Sequence, residues 1–255
     1  MKLYYILAFG TLLCSQLCSS ASAAMASEEP YNSGIVIRWK DCKQRIDGFG
    51  IAQAGWAKEL FAFKNREQVM DKMFGKDGLR LNILRGEIFP HYWENETDKD
   101  FNLNDDIHIE LSDSDFINKS DDLLRRGQLW LTLKAKNKYH ISKLVFSTWS
   151  APAWMKSNGK VSNGRLKTEC YTDFANYLAA FYNAYKSKGI APYAISPSNE
   201  PGYAAPWNSS LWTADEMGKF ITSYLGPTFR KENIPAKIIF GENPLWAVYM
   251  PQLKM

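Results

Sequence analysis

Histidine and cysteine are scarce in this chain, with three and four copies among 255 residues. Cys14 and Cys18 lie in the first 24 residues, which leaves Cys42 and Cys170 beyond them. Two cysteines do not make a disulfide scaffold, although an exported chain would permit a bridge between them. They are too few and too far apart for a zinc site, and His91, His108 and His140 show no ligand spacing. Charge of one sign is also lacking. The 31 basic and 27 acidic residues leave a net +4, which gives no nucleic-acid footprint. The apolar run Leu3 to Leu13 is too short to span a bilayer, and no later segment is long enough. No Gly-x-Ser-x-Gly elbow, phosphate loop or dinucleotide fingerprint occurs. No metal, nucleotide or organic cofactor is implied.

Residues 1–24 combine a lysine, that apolar stretch and an Ala21-Ser22-Ala23-Ala24 ending, the architecture of a cleavable signal peptide. A secreted or periplasmic location follows as the expectation. Aromatic residues are plentiful, at 14% with nine tryptophans.

The run Tyr193 to Pro197 reads as a short buried strand and ends in Ser198-Asn199-Glu200-Pro201. Pro201 biases Glu200 toward extended backbone at the strand's last position. A carboxyl there can give a proton to a leaving oxygen, and the neighbouring amide of Asn199 can hold a hydroxyl. A merely solvated glutamate before a turn is the plainer alternative. Pro197 would delete a ladder hydrogen bond inside a strand, so it belongs at the strand's end or at a bulge, aiming Glu200 across the mouth of the sheet. A second segment, Val145 to Gly159, is an apolar strand entering an aromatic loop with Trp149 at the strand end and Trp154 beyond. Indole faces stack on the C–H faces of sugars, although burial in a core is the commoner fate of tryptophan.

With both segments in hand, the chain resembles glycoside hydrolase family 30, which includes glucosylceramidase-like enzymes and microbial endo-glycanases. The matching pieces are Gln44 to Gly50, Leu79 to Arg85, Ser147 to Gly159 and Ala194 to Pro201, followed by Trp212 to Met217 and Tyr224 to Pro227. The resemblance implies an α/β fold, a (β/α)8 TIM barrel beside a small β-sandwich, and retaining hydrolysis of β-glycosidic bonds. It places Glu200 at the acid/base position and Asn199 on the sugar's 2-hydroxyl. Trp149 would line the subsite where the bond is cut, and Arg85 would support the nucleophile carboxylate. Ser198 stands where the family often carries glutamine.

Alternating elements fill in the expectation. Residues 34–42 are the strand region of the side sandwich, and residues 43–255 a partial barrel. Strands are expected at Asp47 to Gln53, Leu81 to Glu87, Leu144 to Trp149, Ala194 onward and Lys237 to Gly241. Helices are expected over Lys58 to Phe74, about Phe116 to Lys138, Cys170 to Lys188 and about Ala214 to Glu232. The acidic stretch from Pro90 to about Asp115 reads as an inserted loop without calcium-ligand order. Only about five barrel strands are visible, so the barrel reads as truncated. Retaining hydrolysis needs a second carboxylate about 5 Å from the first. The resemblance puts that nucleophile on a seventh strand, which the sequence does not contain. Glu242, at the end of the fifth strand, then shapes the pocket or holds a hydroxyl. Asp47 and Glu87 read as structural or substrate-contacting.

The expected partner is a β-linked oligo- or polysaccharide, with Tyr203 to Trp212 and the loop after Glu87 choosing the sugar. Xylan, β-1,6-glucan, galactan and a glucosylceramide-like substrate all stay open. The alternative is a carbohydrate-binding protein that has lost catalysis.

Overall fold

Period-two apolar runs alternating with amphipathic stretches give a parallel sheet backed by helices. The computed structural model describes residues 38–53, 56–93, 96–97 and 122–243. The chain divides into two units, residues 1–49 and 50–255. The described part of the first, residues 38–49, contains a turn in which the Asp41 N–H donates to the Arg38 carbonyl, but no strand. Residues 34–37 of the expected sandwich strand, the signal-peptide segment and most of the acidic loop lie outside the described residues.

In the second unit β1 (Gly50–Ala52) leads to α1 (Ala57–Ala62) and α2 (Arg66–Phe74), then to β2 (Ile83–Ile88). The single helix expected over 58–74 is therefore broken at residues 63–65. Next come α3 (Asp122–Tyr139), β3 (Lys143–Thr148), α4 (Tyr171–Ser187) and β4 (Ala194–Ser196). The last helix divides into α5 (Ala214–Phe220), a π-helical turn over Ile221–Leu225, and α6 (Gly226–Lys231), before β5 (Lys237–Ile238). All strand pairs are parallel and the order is sequential, β1-β2-β3-β4-β5.

Helix α4 shows how the helical layer is held. Tyr171, Phe174, Ala175, Leu178, Phe181, Tyr182 and Tyr185 recur at three- and four-residue spacing and are buried. Phe146 of β3 meets Phe181 and Tyr185 edge-on, with ring centroids 5.1 and 5.0 Å apart. Gly189, at φ +80°, ends the helix: its N–H donates to the Lys186 carbonyl, and the Ile190 N–H donates to that of Tyr185. Thr213 and Glu216 start α5 with reciprocal capping bonds of 3.2 and 2.6 Å.

Side-chain alternation gives the sheet two faces. A Cβ on Gly86 would lie 2.7 Å from the Phe146 ring and 2.8 Å from Gln128 Oε1, so residue 86 faces the helices and must be small. Arg85, Glu87 and Ser147 therefore point to the opposite, inner face.

The Gln128 amide of α3 repairs an edge on this sheet. Beyond Gln53, whose N–H donates to the Arg85 carbonyl, the chain leaves β2. The Glu87 N–H then donates to Gln128 Oε1 at 2.7 Å, and Gln128 Nε2 donates to the Glu87 carbonyl at 2.8 Å. A side-chain amide thus satisfies the backbone groups that a continued strand would have paired.

Candidate active site

The inner face gathers its polar groups at the carboxyl ends of the strands, the end at which barrel enzymes carry their chemistry. Arg85 on β2 is the hub. Its Nε donates to Glu242 Oε1 at 3.2 Å, and its Nη2 donates to Glu242 Oε2 at 3.3 Å and to Asn199 Oδ1 at 2.7 Å. Ser147 Oγ, from the neighbouring strand, donates to Glu242 Oε2 at 2.5 Å. Arg85 and Glu242 are about one-fifth exposed, at 23% and 19% of their side-chain surface. A two-point arginine–carboxylate contact fixes direction as well as charge.

Pro197 ends β4, which stops at Ser196. Pairing resumes one step on, where the Asn199 N–H donates to the Thr148 carbonyl and Asn199 bridges Glu242 in parallel register. The interruption at the proline is the bulge-like exit that the sequence leads one to expect.

The expectation of extended backbone at Glu200 is overturned, because its φ is +44°. The residue lies in the left-handed region, which is unfavourable for a residue with a Cβ and more so before proline. Hydrogen bonds on both sides hold it there. Its N–H donates to the Glu242 carbonyl, while its own carbonyl accepts from the Tyr203 N–H, closing a turn. Backbone strain of this kind costs roughly 1–3 kcal/mol and is retained where the surroundings over-determine it.

The other sequence-selected residues fall around this cluster. Trp149 lies one residue beyond β3, is half-buried, and has its indole Nε1 buried with no hydrogen-bond partner among the described residues. Tyr203 is exposed on the turn after Glu200. Trp154 packs against the core and its Nε1 donates to the Trp93 carbonyl at 3.2 Å. Asp47 belongs to the first unit. Cys42 is exposed, Cys170 is buried, and no disulfide joins them.

Ser147, Asn208 and Lys156 were not singled out by the sequence. Ser147 could have been, since it is two residues before Trp149 and so shares its face. Glu87 and Lys156 are buried ionisable groups at the rim. Burial pushes the Glu87 carboxyl up to about 7, against the opposing pull of the Asn208 amide, 3.4 Å away, and the Arg85 charge. Lys156 is fully buried, and desolvation lowers its ammonium to about 8. Its Nζ donates to the Ser209 carbonyl at 2.7 Å and to Ser150 Oγ at 3.1 Å. Among the described residues no group of histidine, cysteine and carboxylate side chains could hold a metal ion, and no helix is long and apolar enough to cross a membrane.

Known proteins resemble this chain in sequence and fold. Glucuronoxylanase XynC of Bacillus subtilis is 27% identical over 91% of this chain and 46% of its own length. Lysosomal acid glucosylceramidase of Mus musculus is 27% identical over 80% of this chain and 42% of its own. The chain thus spans less than half the length of these relatives. The catalytic domain of a xylanase C of Talaromyces cellulolyticus superposes with a TM-score of 0.67 at 23% identity, covering 83% of this chain and 50% of that one, a likeness of fold. The family model described as the glycosyl hydrolase family 30 TIM-barrel domain matches residues 46–241, so the chain belongs to that family.

Proposed function

We propose that this chain carries the acid/base half of a secreted retaining β-glycosidase, with Glu200 as the acid/base. The observation that supports it best is the convergence of Asn199, Arg85, Ser147 and Glu242 around the backbone of Glu200 at the strand ends. Glu200 protonates the leaving oxygen in the first step and takes a proton from water in the second. Arg85 fixes the Asn199 amide, whose Nδ2 is then directed to a sugar 2-hydroxyl. Glu242 holds Arg85 and is thereby committed to positioning. Trp149, half-buried just beyond β3, presents the exposed part of its ring to the sugar.

The nucleophile in this reading comes from a strand other than the five described, so these residues by themselves do not complete a turnover. The substrate class is a β-linked glycan, with xylan, β-1,6-glucan, galactan and glucosylceramide-like molecules as its members. Export through the N-terminal segment is part of the same reading.

The test is hydrolysis by the secreted enzyme and by its Glu200→Gln variant. The expected outcome is loss of reducing-end release with sugar binding retained. Unchanged turnover in the variant would remove Glu200 from the acid/base role. A protein that binds glycans but releases no reducing ends from any of them is the binding-only alternative.

A further inference from the structure

Two exposed aromatic side chains stand on the loop that leaves Glu200. Tyr203 is 45% and Trp207 50% exposed, and their ring centroids are 6.3 Å apart with the planes inclined at 59°. Exposed aromatic surface of this size is unfavourable in water unless something covers it. The loop is not slack. The Ser209 N–H donates to the Val161 carbonyl beside an isolated antiparallel bridge between Ser162 and Asn208, and the Leu211 N–H donates to the Gly164 carbonyl, tying the loop to the one after β3. Lys156 reaches from beneath to the Ser209 carbonyl, Asn208 Nδ2 reaches Glu87, and the Trp212 N–H closes the loop onto the Pro201 carbonyl. A pre-ordered aromatic pair loses little conformational entropy when a ligand arrives.

The position of the pair fixes which part of a substrate it would meet. An acid that protonates the leaving oxygen lies on the leaving-group side of the scissile bond. The Tyr203 N–H bonds to the Glu200 carbonyl itself, so the platform begins within one turn of that acid. Rings at 59° cannot stack on one flat ligand together. One can cover the C–H face of a pyranose while the other offers its edge, and the phenol and indole supply polar groups to ring hydroxyls. Gly202, Ala204 and Pro206, exposed around the pair, build no continuous apolar groove for an alkyl chain.

We propose that Tyr203 and Trp207 form a subsite for the leaving-group sugar of a β-linked oligosaccharide, a reading that rests on Glu200 being the acid. The test is calorimetric titration of the Glu200→Gln protein with β-1,6-linked glucose, β-1,4-linked xylose and β-linked galactose di- and trisaccharides, their methyl monoglycosides and octyl β-glucoside. Trp207→Ala and Tyr203→Ala should each weaken the best-bound trisaccharide about tenfold, and Trp207→Phe should recover part of it. Binding of the methyl glycoside and the melting temperature should not move. Trisaccharide affinity unaffected by Trp207→Ala, with Trp149→Ala abolishing it, would overturn the subsite and leave the glycosidase reading standing. Octyl β-glucoside depending on Trp207 more than the trisaccharide would replace the sugar by a lipid. No binding of any glycan to the starting protein would overturn both readings together.

Discussion

Glu242 and Glu87 are two carboxylates at the same rim, and the molecule treats them differently. On the β4–β5 side, Glu242 receives two contacts from Arg85 and one from Ser147, and its backbone carbonyl receives the Glu200 N–H. On the β2 side, Glu87 has its backbone well satisfied by Gln128, yet among the described residues its carboxyl is met by the Asn208 amide alone, at 3.4 Å. The first arrangement uses a part-buried charge to orient other groups. The second leaves a carboxyl whose proton balance is set by burial. A buried charge stabilises a geometry when a partner of matching shape reaches it, and otherwise it shifts its pKa.

The strongest way to break this contrast is to remove the partner. Arg85→Met strands the Glu242 carboxylate and releases Asn199. The pair is only part-buried, so the loss lies below that of a fully buried pair, at about 1.5–3 kcal/mol, the range for hydrogen bonds to charged groups. Thermal unfolding should show a loss of that order, and turnover by the secreted enzyme should fall about a hundredfold or more as Asn199 loses its orientation. Adding Glu242→Gln should return most of the stability, because the stranded charge is gone, but none of the turnover. Recovery of both would mean that Arg85 only neutralises Glu242 and does not position Asn199.

Glu87→Gln tests the other side. The carboxyl is raised from 4.5 to about 7 in the fold, so the folded state binds more protons than the unfolded chain between those values. Stability must therefore fall as pH rises from about 4.5 to about 7 and stay lowered above it. A shift of that size corresponds to about 3 kcal/mol. Glutamine can still accept from Asn208 and has no charge to desolvate. The variant should match the parent near pH 4 and exceed its unfolding free energy by about 2–3 kcal/mol at pH 8. A parallel pH dependence in parent and variant would show that Glu87 finds a partner in solution.

Lys156 gives the same logic with the opposite sign and a smaller net effect. Its ammonium is lowered from 10.5 to about 8, so the folded state sheds the proton first and stability rises with pH between those values. Lys156→Met should flatten that rise. It should also lose the bonds to Ser209 and Ser150, each contributing about 1 kcal/mol, so the two effects largely cancel at pH 7. Urea unfolding at pH 7 and pH 10 separates them. A rise that persists in the variant belongs to another group.

How much of this was visible in the sequence depended on distance along the chain. Glu200, Asn199 and the break at Pro197 are local features, and strand geometry reads directly from them. The sequential sheet order is the one expected of the barrel that the resemblance implies, whereas parallel strands joined by helices can also be doubly wound in a non-sequential order. What local pattern does not determine is where a side chain ends up in space. The resemblance gives Arg85 to a nucleophile carboxylate, and no local pattern shows that it also meets Glu242, 157 positions away. Gln128 falls within the stretch expected to be helical, and nothing local says that its amide will pair with the Glu87 backbone of β2. Lys156 sits in the loop after Trp149, and its burial follows from contact with the Ser209 segment, 53 positions away. Glu200 failed in the other direction: the rule for residues before proline is local, and tertiary hydrogen bonds overrode it.

The smallest effect comes from charges that have partners but also have water. Glu67 of α2 meets Lys134 at 2.7 Å and Lys138 at 3.1 Å, closer than Arg85 meets Glu242. Contact distance alone would rank this cluster above the rim. Yet Glu67 is 47% exposed, and its carboxyl is held below its usual value chiefly by the Lys134 hydrogen bond, with burial opposing. In water the charges are screened and long side chains pay entropy to meet, so an exposed pair contributes about 0.2–1 kcal/mol. Glu67→Gln should lower unfolding stability by less than about 1 kcal/mol at pH 7, and 1 M salt should erase most of the difference. The Arg85→Met loss should survive the same salt. If both losses faded alike, the rim pair would be as wet as the surface one, and its claim to orient Asn199 would rest on Ser147 and the backbone alone.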